Sequence, residues 1–303
     1  MTTPFRIKSI TELHQIAGGP PPEHPLISLI RLEDIPELPA DYPQDFIYEF
    51  YSIGFKKNLK GYIAYGRENY DFQEGVLGFT EPDQSLSFTG SDASEATGWI
   101  LFFHKDFLMK SPLMDKIEEY GFFKYNVNEA LHLSAKEEEL IEGLFANMHN
   151  EYSQRIDTFS KDVLLSNLEL LLTYSQRFYS RQFITRNDVD SSFLNRFKVE
   201  LKKYFHSDEL IDGGIPTVEY FAKKLNISSS YLSDMLKSLT GKTTKEHIHL
   251  KLIEMAKKKL VSTDQTVAEI AYGLGFEYPQ YFNRLFKEKT GLTPKEFRMN
   301  VNA

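Results

Sequence analysis

Residues 217–246, TVEYFAKKLNISSSYLSDMLKSLTGKTTKE, recur as residues 266–296, TVAEIAYGLGFEYPQYFNRLFKEKTGLTPKE. Up to Leu225 and Leu274 the offset is 49; from Tyr231 and Tyr281 it is 50, so the second copy has one extra turn residue. Two copies are too few for a solenoid, so each must be a small unit of its own. Both copies predict the same layout. A threonine caps a short helix, and in the second copy Thr266-Val-Ala-Glu269 is a full capping box. Ala222 or Ala271 sits mid-helix, where another helix can approach closely. A tight turn follows, Asn226-Ile-Ser228 or Gly275-Phe-Glu-Tyr278, and a second helix runs to Gly241 or Gly291, where glycine suits the left-handed terminating position. Two short helices joined in this way form a helix-turn-helix. The second helix of such a unit enters the major groove of DNA, its N-terminal end toward the base edges.

The charges agree with a DNA contact at that end. The whole chain of 303 residues has a net charge of −8. Residues 1–192 hold 17 basic and 30 acidic side chains, whereas residues 193–303 hold 18 basic and 13 acidic ones. An acidic half joined to a basic half suggests nucleic acid as a partner of the basic half. There is no cysteine, which excludes disulfides, thiolate metal sites and thiol nucleophiles. The apolar runs, such as Trp99–Phe103, are too short to span a bilayer, and the N-terminus has no apolar core of signal-peptide length. We therefore expect a cytoplasmic protein without a membrane partner.

The first ~25 residues, with Gly18-Gly19-Pro20-Pro21-Pro22, read as an irregular arm. Aromatic and branched runs at 26–32, 46–55, 61–65, 75–79, 85–88 and 99–103, separated by turn residues, predict strands of a sandwich or small barrel. Ser134-Ala-Lys-Glu137 is a capping box that opens a helix to about Gln154. A second helix is expected over 159–183, with Leu164, Leu168, Leu171, Leu172, Ser175, Phe178 and Tyr179 on one face. That stripe packs either on the barrel or on a second copy of the chain. Residues 184–192 are polar and unpatterned and read as a linker, and residues 193–303 are helical throughout. The fold class is α+β, with a sheet-rich domain over 1–183 and an all-α domain over 193–303.

The stretch Glu269-Ile-Ala-x-x-x-Gly-Phe276, then Phe282-x-Arg-x-Phe-Lys287, Gly291-x-Thr-Pro294 and Phe297-Arg298, resembles the signature of the AraC/XylS family of bacterial transcription regulators. The resemblance covers residues 190–300. It implies two helix-turn-helix units joined by a long helix, here 244–260, and a double-stranded promoter DNA partner. It also implies an N-terminal cupin-like barrel that senses a small-molecule effector. Dimerisation through the helices that follow, giving a homodimer, and contact with RNA polymerase belong to the same picture.

In the second unit Pro279 opens the reading helix, and Gln280, Asn283 and Arg284 are its outward candidates. Gln or Asn can make a two-point contact to adenine, and Arg can meet guanine or a phosphate. For Arg284, phosphate, base and an internal bridge all stay open. Tyr281, Phe282, Leu285 and Phe286 read as packing residues. In the first unit Ser229, Ser230, Ser233 and Asp234 occupy the matching places; the family often has arginine where Asp234 stands, so this unit reads weakly or reads other bases. Lys237, Lys242, Lys245 and Lys287 are candidate phosphate neutralisers, while Lys257-Lys-Lys259 reads as a solvated face.

Tyr48, Phe50, Tyr62, Tyr65, Phe79 and Trp99 are the candidate lining of a ligand cavity in the barrel, against the alternative that they fill it as core. In that alternative the barrel is an interaction or dimerisation module with no ligand. No enzyme, metal or cofactor is expected. No phosphate loop, complete dinucleotide fingerprint or nucleophile elbow appears, and His247-Ile-His249 would put two imidazoles on different faces of a helix.

Overall fold

The computed structural model describes the backbone of residues 4–35, 38–39, 42–43, 45–57, 64–65, 68–69, 75–87, 97–154, 157–185, 187–207 and 209–302. The chain divides into two compact units, Met1–Gln182 and Phe183–Ala303.

The described elements of the first part are β1 (Phe5–Ile7), α1 (Ile10–Ile16), β2 (Ile27–Arg31), β3 (Asp45–Tyr48), β4 (Tyr51–Lys57), β5 (Ala64–Tyr65), β6 (Glu68–Asn69), β7 (Val76–Thr80), β8 (Ser85–Ser87), β9 (Thr97–Phe103), α2 (Leu113–Lys116), β10 (Leu131–His132), α3 (Ala135–Tyr152) and α4 (Ser160–Thr185). Five strands form an antiparallel sheet in the order β10-β7-β4-β9-β2, and three form the sheet β1-β3-β8. β5 and β6 form a separate pair. Among the described residues these sheets do not close into a single barrel.

Each face of the five-stranded sheet has its own core. On one face Phe55, Phe79 and Trp99 meet helical segments: Phe55 and Trp99 stack on Phe145 of α3, and Phe79 lies 4.5 Å from the Phe122 ring. On the other face Phe102 joins Ile7, Ile10, Leu13, Phe46, Tyr48 and Phe50 from α1 and the three-stranded sheet.

Two sequence expectations are corrected here. The supposed irregular arm contains β1, parallel to β3, and α1. The Gly-Pro run governs only the end of that segment: Ser9 accepts a hydrogen bond from the Glu12 amide, and Ile10 and Leu13 are buried. The run 46–55 is two strands, because the buried alternation Phe46, Tyr48, Phe50 slips by one residue to Tyr51, Ile53, Phe55 as the chain changes sheet.

The capping box that opens α3 is present, with the Ser134 amide donating to Glu137 at 2.9 Å. The C-terminal half of α4 is tied to β10 and α3. The His132 amide donates to Gln182 Oε1 at 2.8 Å, the Tyr179 hydroxyl donates to the Glu129 carbonyl at 3.1 Å, and Arg181 donates to Glu137 at 2.6 Å.

The second part comprises α5 (Asn187–His206), α6 (Glu209–Gly213), α7 (Val218–Leu225), α8 (Ser229–Thr240), α9 (Thr244–Ser262), α10 (Val267–Tyr272), α11 (Pro279–Thr290) and α12 (Pro294–Asn302). The expected linker at 184–192 is mostly helical backbone, since α4 runs to Thr185 and α5 begins at Asn187. A polar composition does not forbid a helix whose later turns bury Phe193, Phe197 and Leu201.

Candidate nucleic-acid interface

Both repeats fold as paired helices: α7 with α8, and α10 with α11, each second helix also packing on α9. Ala222 and Ala271 are buried, consistent with a close helix crossing. The turns differ in the way the extra residue requires. In the first, Asn226 takes the left-handed conformation at φ 58° and ends α7. In the second, Gly275 takes it at φ 80°, and a Cβ there would lie 2.8 Å from the Gly214 carbonyl carbon. Only glycine suits both that backbone and that approach.

Each reading helix is anchored by two large buried side chains one turn apart. Leu232 and Leu236 do this in α8, Phe282 and Phe286 in α11, and all four are 0% exposed. Both helices end on a left-handed glycine, Gly241 and Gly291, whose amides donate to the Lys237 and Lys287 carbonyls. α9 is about 28 Å long at ~1.5 Å per residue. The same Thr-x-x-Glu box opens α9 (Thr243/Glu246) and α10 (Thr266/Glu269), and Thr293 and Glu296 pair likewise at the start of α12. Arg298 of α12 donates to the Leu260 carbonyl at 2.9 Å and the Gln265 carbonyl at 2.7 Å, fixing the chain between α9 and α10.

With α11 anchored in this way, Gln280, Asn283, Arg284 and Lys287 are exposed along its outer side, and Pro279 at its first position is half-buried. In α8, Ser229, Ser230, Ser233 and Asp234 are half-buried and Lys237 is exposed. Ser233 Oγ lies 3.2 Å from Thr244 Oγ1, so its hydroxyl already has a partner in α9. Lys242 and Lys245 are exposed at the start of α9. Lys257 lies over the Phe297 ring and Lys258 pairs with Glu254.

Sequence reasoning missed one feature. Tyr281 is not a packing residue: it is 51% exposed, with Tyr278 edge-on and the Arg284 guanidinium 5.5 Å above its ring. The two exposed tyrosines widen the surface beside the reading residues. The signal was in the helical spacing, because Tyr281 precedes Phe282 and cannot share its inward direction.

The two histidines of α9 have different surroundings. His247 Nε2 lies 2.8 Å from Thr240 Oγ1 and its ring meets Phe197 edge-on, whereas His249 lies near Lys245, Lys289 and Glu288. Among the described residues no three His, Asp or Glu side chains converge as a metal site would need. Both histidines titrate below the ordinary value of 6.5, chiefly through burial. Lys242 and Lys198 add to this at His247 against Glu246; Lys245 and Lys289 add to it at His249 against Glu288 and Glu246. The unfolded chain therefore takes up protons first on acidification. Stability of this unit is expected to be full above about pH 6.5 and to fall as pH drops below it. Urea melts at about pH 7.5 and about pH 5.5 check this, and equal midpoints would contradict it.

The comparisons with known proteins point the same way. A helix-turn-helix domain model matches residues 221–300. Regulatory protein SoxS of Salmonella typhimurium is 32% identical over 91 residues, which cover 30% of this chain and 84% of that one. The MmsAB operon regulatory protein of Pseudomonas aeruginosa is 38% identical over 85 residues, 28% of this chain and only 27% of its own length. The C-terminal domain of the response regulator yesN from Fusobacterium nucleatum is 29% identical over 35% of this chain and 98% of that one, with a TM-score of 0.32. The chain belongs to the AraC/XylS family of transcription regulators and carries that family's helix-turn-helix domain. Among the described residues no helix is long and apolar enough to cross a membrane.

The remaining sequence candidates lie in the first unit. Tyr48 and Phe50 stack on each other beside Phe102, while Phe79 and Trp99 belong to the opposite face of the five-stranded sheet. All four are buried and do not line one common space. Tyr62 lies outside the described residues, and Tyr65 is described only by its backbone. Leu164, Leu168, Leu171, Leu172 and Phe178 are buried within their own chain, and the exposed apolar residues of α4 are Val163, Leu170 and Ile184.

Proposed function

We propose that the chain regulates transcription by binding a specific promoter element through α8 and α11, which read two successive stretches of one duplex. The observation that carries this reading is the division of α11: Phe282 and Phe286 face inward while Gln280, Asn283 and Arg284 face solvent. α11 supplies most of the base discrimination, because Gln280 and Asn283 can make two-point contacts to adenine that serine cannot. α8 serves more for position, since Ser233 is already bonded within the protein. Lys237, Lys242, Lys245 and Lys287 meet phosphates.

The N-terminal residues 1–183 act as the sensor of a small-molecule effector in a cupin-like arrangement of the two sheets. They also bring two copies of the chain together through the outer side of α4, where Val163 and Leu170 are exposed. Effector binding acts by favouring one arrangement of the two domains over another, and the assembled regulator engages RNA polymerase at the promoter.

Asn283→Ala tests base reading by α11. It is expected to weaken binding to the selected site by roughly 1–3 kcal/mol and to leave binding to random duplex unchanged. Titrating labelled selected and random duplexes measures both. Equal losses on the two would remove base readout from Asn283.

A further inference from the structure

We propose that Tyr204 fixes the spacing at which the two helix pairs read DNA, by holding the turn at Gly214 against Gly275 of the second pair. The proposal rests on reading α8 and α11 as the two base-reading helices, and it names a residue that sets the separation of their blocks.

α9 carries both pairs. The first is seated at its start, where Ser233 lies 3.2 Å from Thr244 and Phe197 meets His247 edge-on. The second is seated at its end, where Arg298 donates to the Leu260 carbonyl at 2.9 Å and Lys257 lies over the Phe297 ring. A helix of 19 residues curves and bends gently between two such loads. The separation of α8 and α11 is therefore well defined when the pairs also touch away from the axis of α9.

They touch at two glycines. Gly214, in the turn before α7, and Gly275, in the turn before α11, both have left-handed backbones, at φ 73° and 80°. A Cβ on Gly275 would lie 2.8 Å from the Gly214 carbonyl carbon and 3.0 Å from the Ile215 amide nitrogen, and one on Gly214 would lie 3.4 Å from the Gly275 carbonyl oxygen. Backbone meets backbone here, with no side chain between them to absorb a shift.

Tyr204 of α5 holds the near side of that contact. Its hydroxyl donates to the Gly214 carbonyl at 2.9 Å and shares its proton with the Glu209 carbonyl at 3.2 Å. Its ring is buried and packs edge-on against Tyr220 and Phe221 of α7 at 4.8 and 6.2 Å, so the hydroxyl is carried by the first pair itself. Burial and the Glu209 carboxylate raise its pKa, which keeps the donor protonated. On its other side the turn borders an open recess of about 600 Å³, lined by Tyr204, Ile215, Pro216, Thr217 and Tyr220. The turn is thus braced toward Gly275 by a hydroxyl bond rather than by packing from behind. Without that bond it can fall back into the recess, and the second pair gains freedom to tilt on α9. Such freedom matters to base reading, because one added base pair moves a block about 3.4 Å along the duplex and about 35° around it.

The test starts from the two-block site selected by the wild-type full-length protein. Fluorescence anisotropy gives affinities for that duplex and for duplexes with one base pair more or fewer between the blocks. Wild type, Tyr204→Phe, Gly214→Ala and Tyr220→Phe are compared, and urea melts show which are folded. We expect wild type to prefer its own spacing by about tenfold or more over either neighbour, and Tyr204→Phe to prefer it by less than about threefold while binding the original site within about fivefold of wild type. Gly214→Ala presses on the Gly275 carbonyl from the other side of the contact. It is expected to lose the preference likewise, and it carries the test if Tyr204→Phe does not fold. Tyr220→Phe removes a neighbouring hydroxyl that donates to Glu209 at 2.6 Å, and it is expected to keep the wild-type preference. Equal loss of affinity at every spacing in Tyr204→Phe would reduce Tyr204 to a residue of the fold and overturn the proposal. A Tyr220→Phe profile as flat as that of Tyr204→Phe would overturn it too. A wild type that selects no site at all would remove the DNA reading beneath the proposal, and the proposal with it.

Discussion

Phe282→Ala is expected to destabilise the C-terminal unit by about 3–5 kcal/mol, the usual cost of emptying a fully buried phenylalanine site. Its ring is 0% exposed and lies between Phe276, at 5.3 Å, and Phe286, at 5.7 Å. Phe286 continues the chain of rings to Phe297 of α12 at 5.5 Å. The substitution therefore loosens α11 and α12 together, and DNA binding is lost through the fold although Phe282 touches no base. The repeat supplies the control. Leu232 occupies the matching place in the first unit, so Phe282→Leu keeps an apolar anchor and should cost markedly less. Denaturant melts that follow the C-terminal transition give both values. Equal losses for Ala and Leu would show that ring shape rather than apolar volume holds α11.

A fourfold rise in salt, from about 50 to about 200 mM, is expected to weaken DNA binding several-hundred-fold. Lys237, Lys242, Lys245, Arg284 and Lys287 are all exposed at or beside the two reading helices. If each neutralises one phosphate, the logarithm of the affinity falls with the logarithm of salt at a slope of about −4 to −5. Lys287→Ala should make that slope shallower by about one on every sequence, whereas Asn283→Ala should leave the slope alone. Fluorescence anisotropy across a salt series separates the two. A slope near zero would mean that phosphates are not engaged at all.

The C-terminal half was legible in the sequence because its signals are local and occur twice. The offset of 49 and then 50 placed the turns, the Thr-x-x-Glu boxes placed helix starts, and Gly241 and Gly291 placed helix ends. Asn283 and Arg284 were readable as outward residues once Phe282 and Phe286 were assigned inward. Less legible were contacts made across the chain: the Ser233–Thr244 bond and the Arg298 clamp depend on where α9 lies, which spacing alone does not set.

The N-terminal half was harder because its order comes from pairing distant strands. The apolar run through Phe46 and Phe55 hides a change of sheet at a one-residue slip in alternation. The parallel pairing of Phe5–Ile7 with residues 46–48 leaves no short-range trace. The leucine stripe of α4 looked the same whether it faced its own sheet or a second copy. Packing resolves it inward, with Leu168, Leu171 and Leu172 all 0% exposed. The aromatic residues read as one cavity lining divide between two faces, because alternate residues of a strand point in opposite directions.

The central claim is that two reading helices on one domain recognise two stretches of DNA. Selection of bound duplexes from a random pool with the full-length protein tests it most directly. The account predicts an enriched site with two short conserved blocks about 10 base pairs apart, the more sharply defined block losing its definition in Asn283→Ala. A pool that stays random through repeated rounds would contradict it.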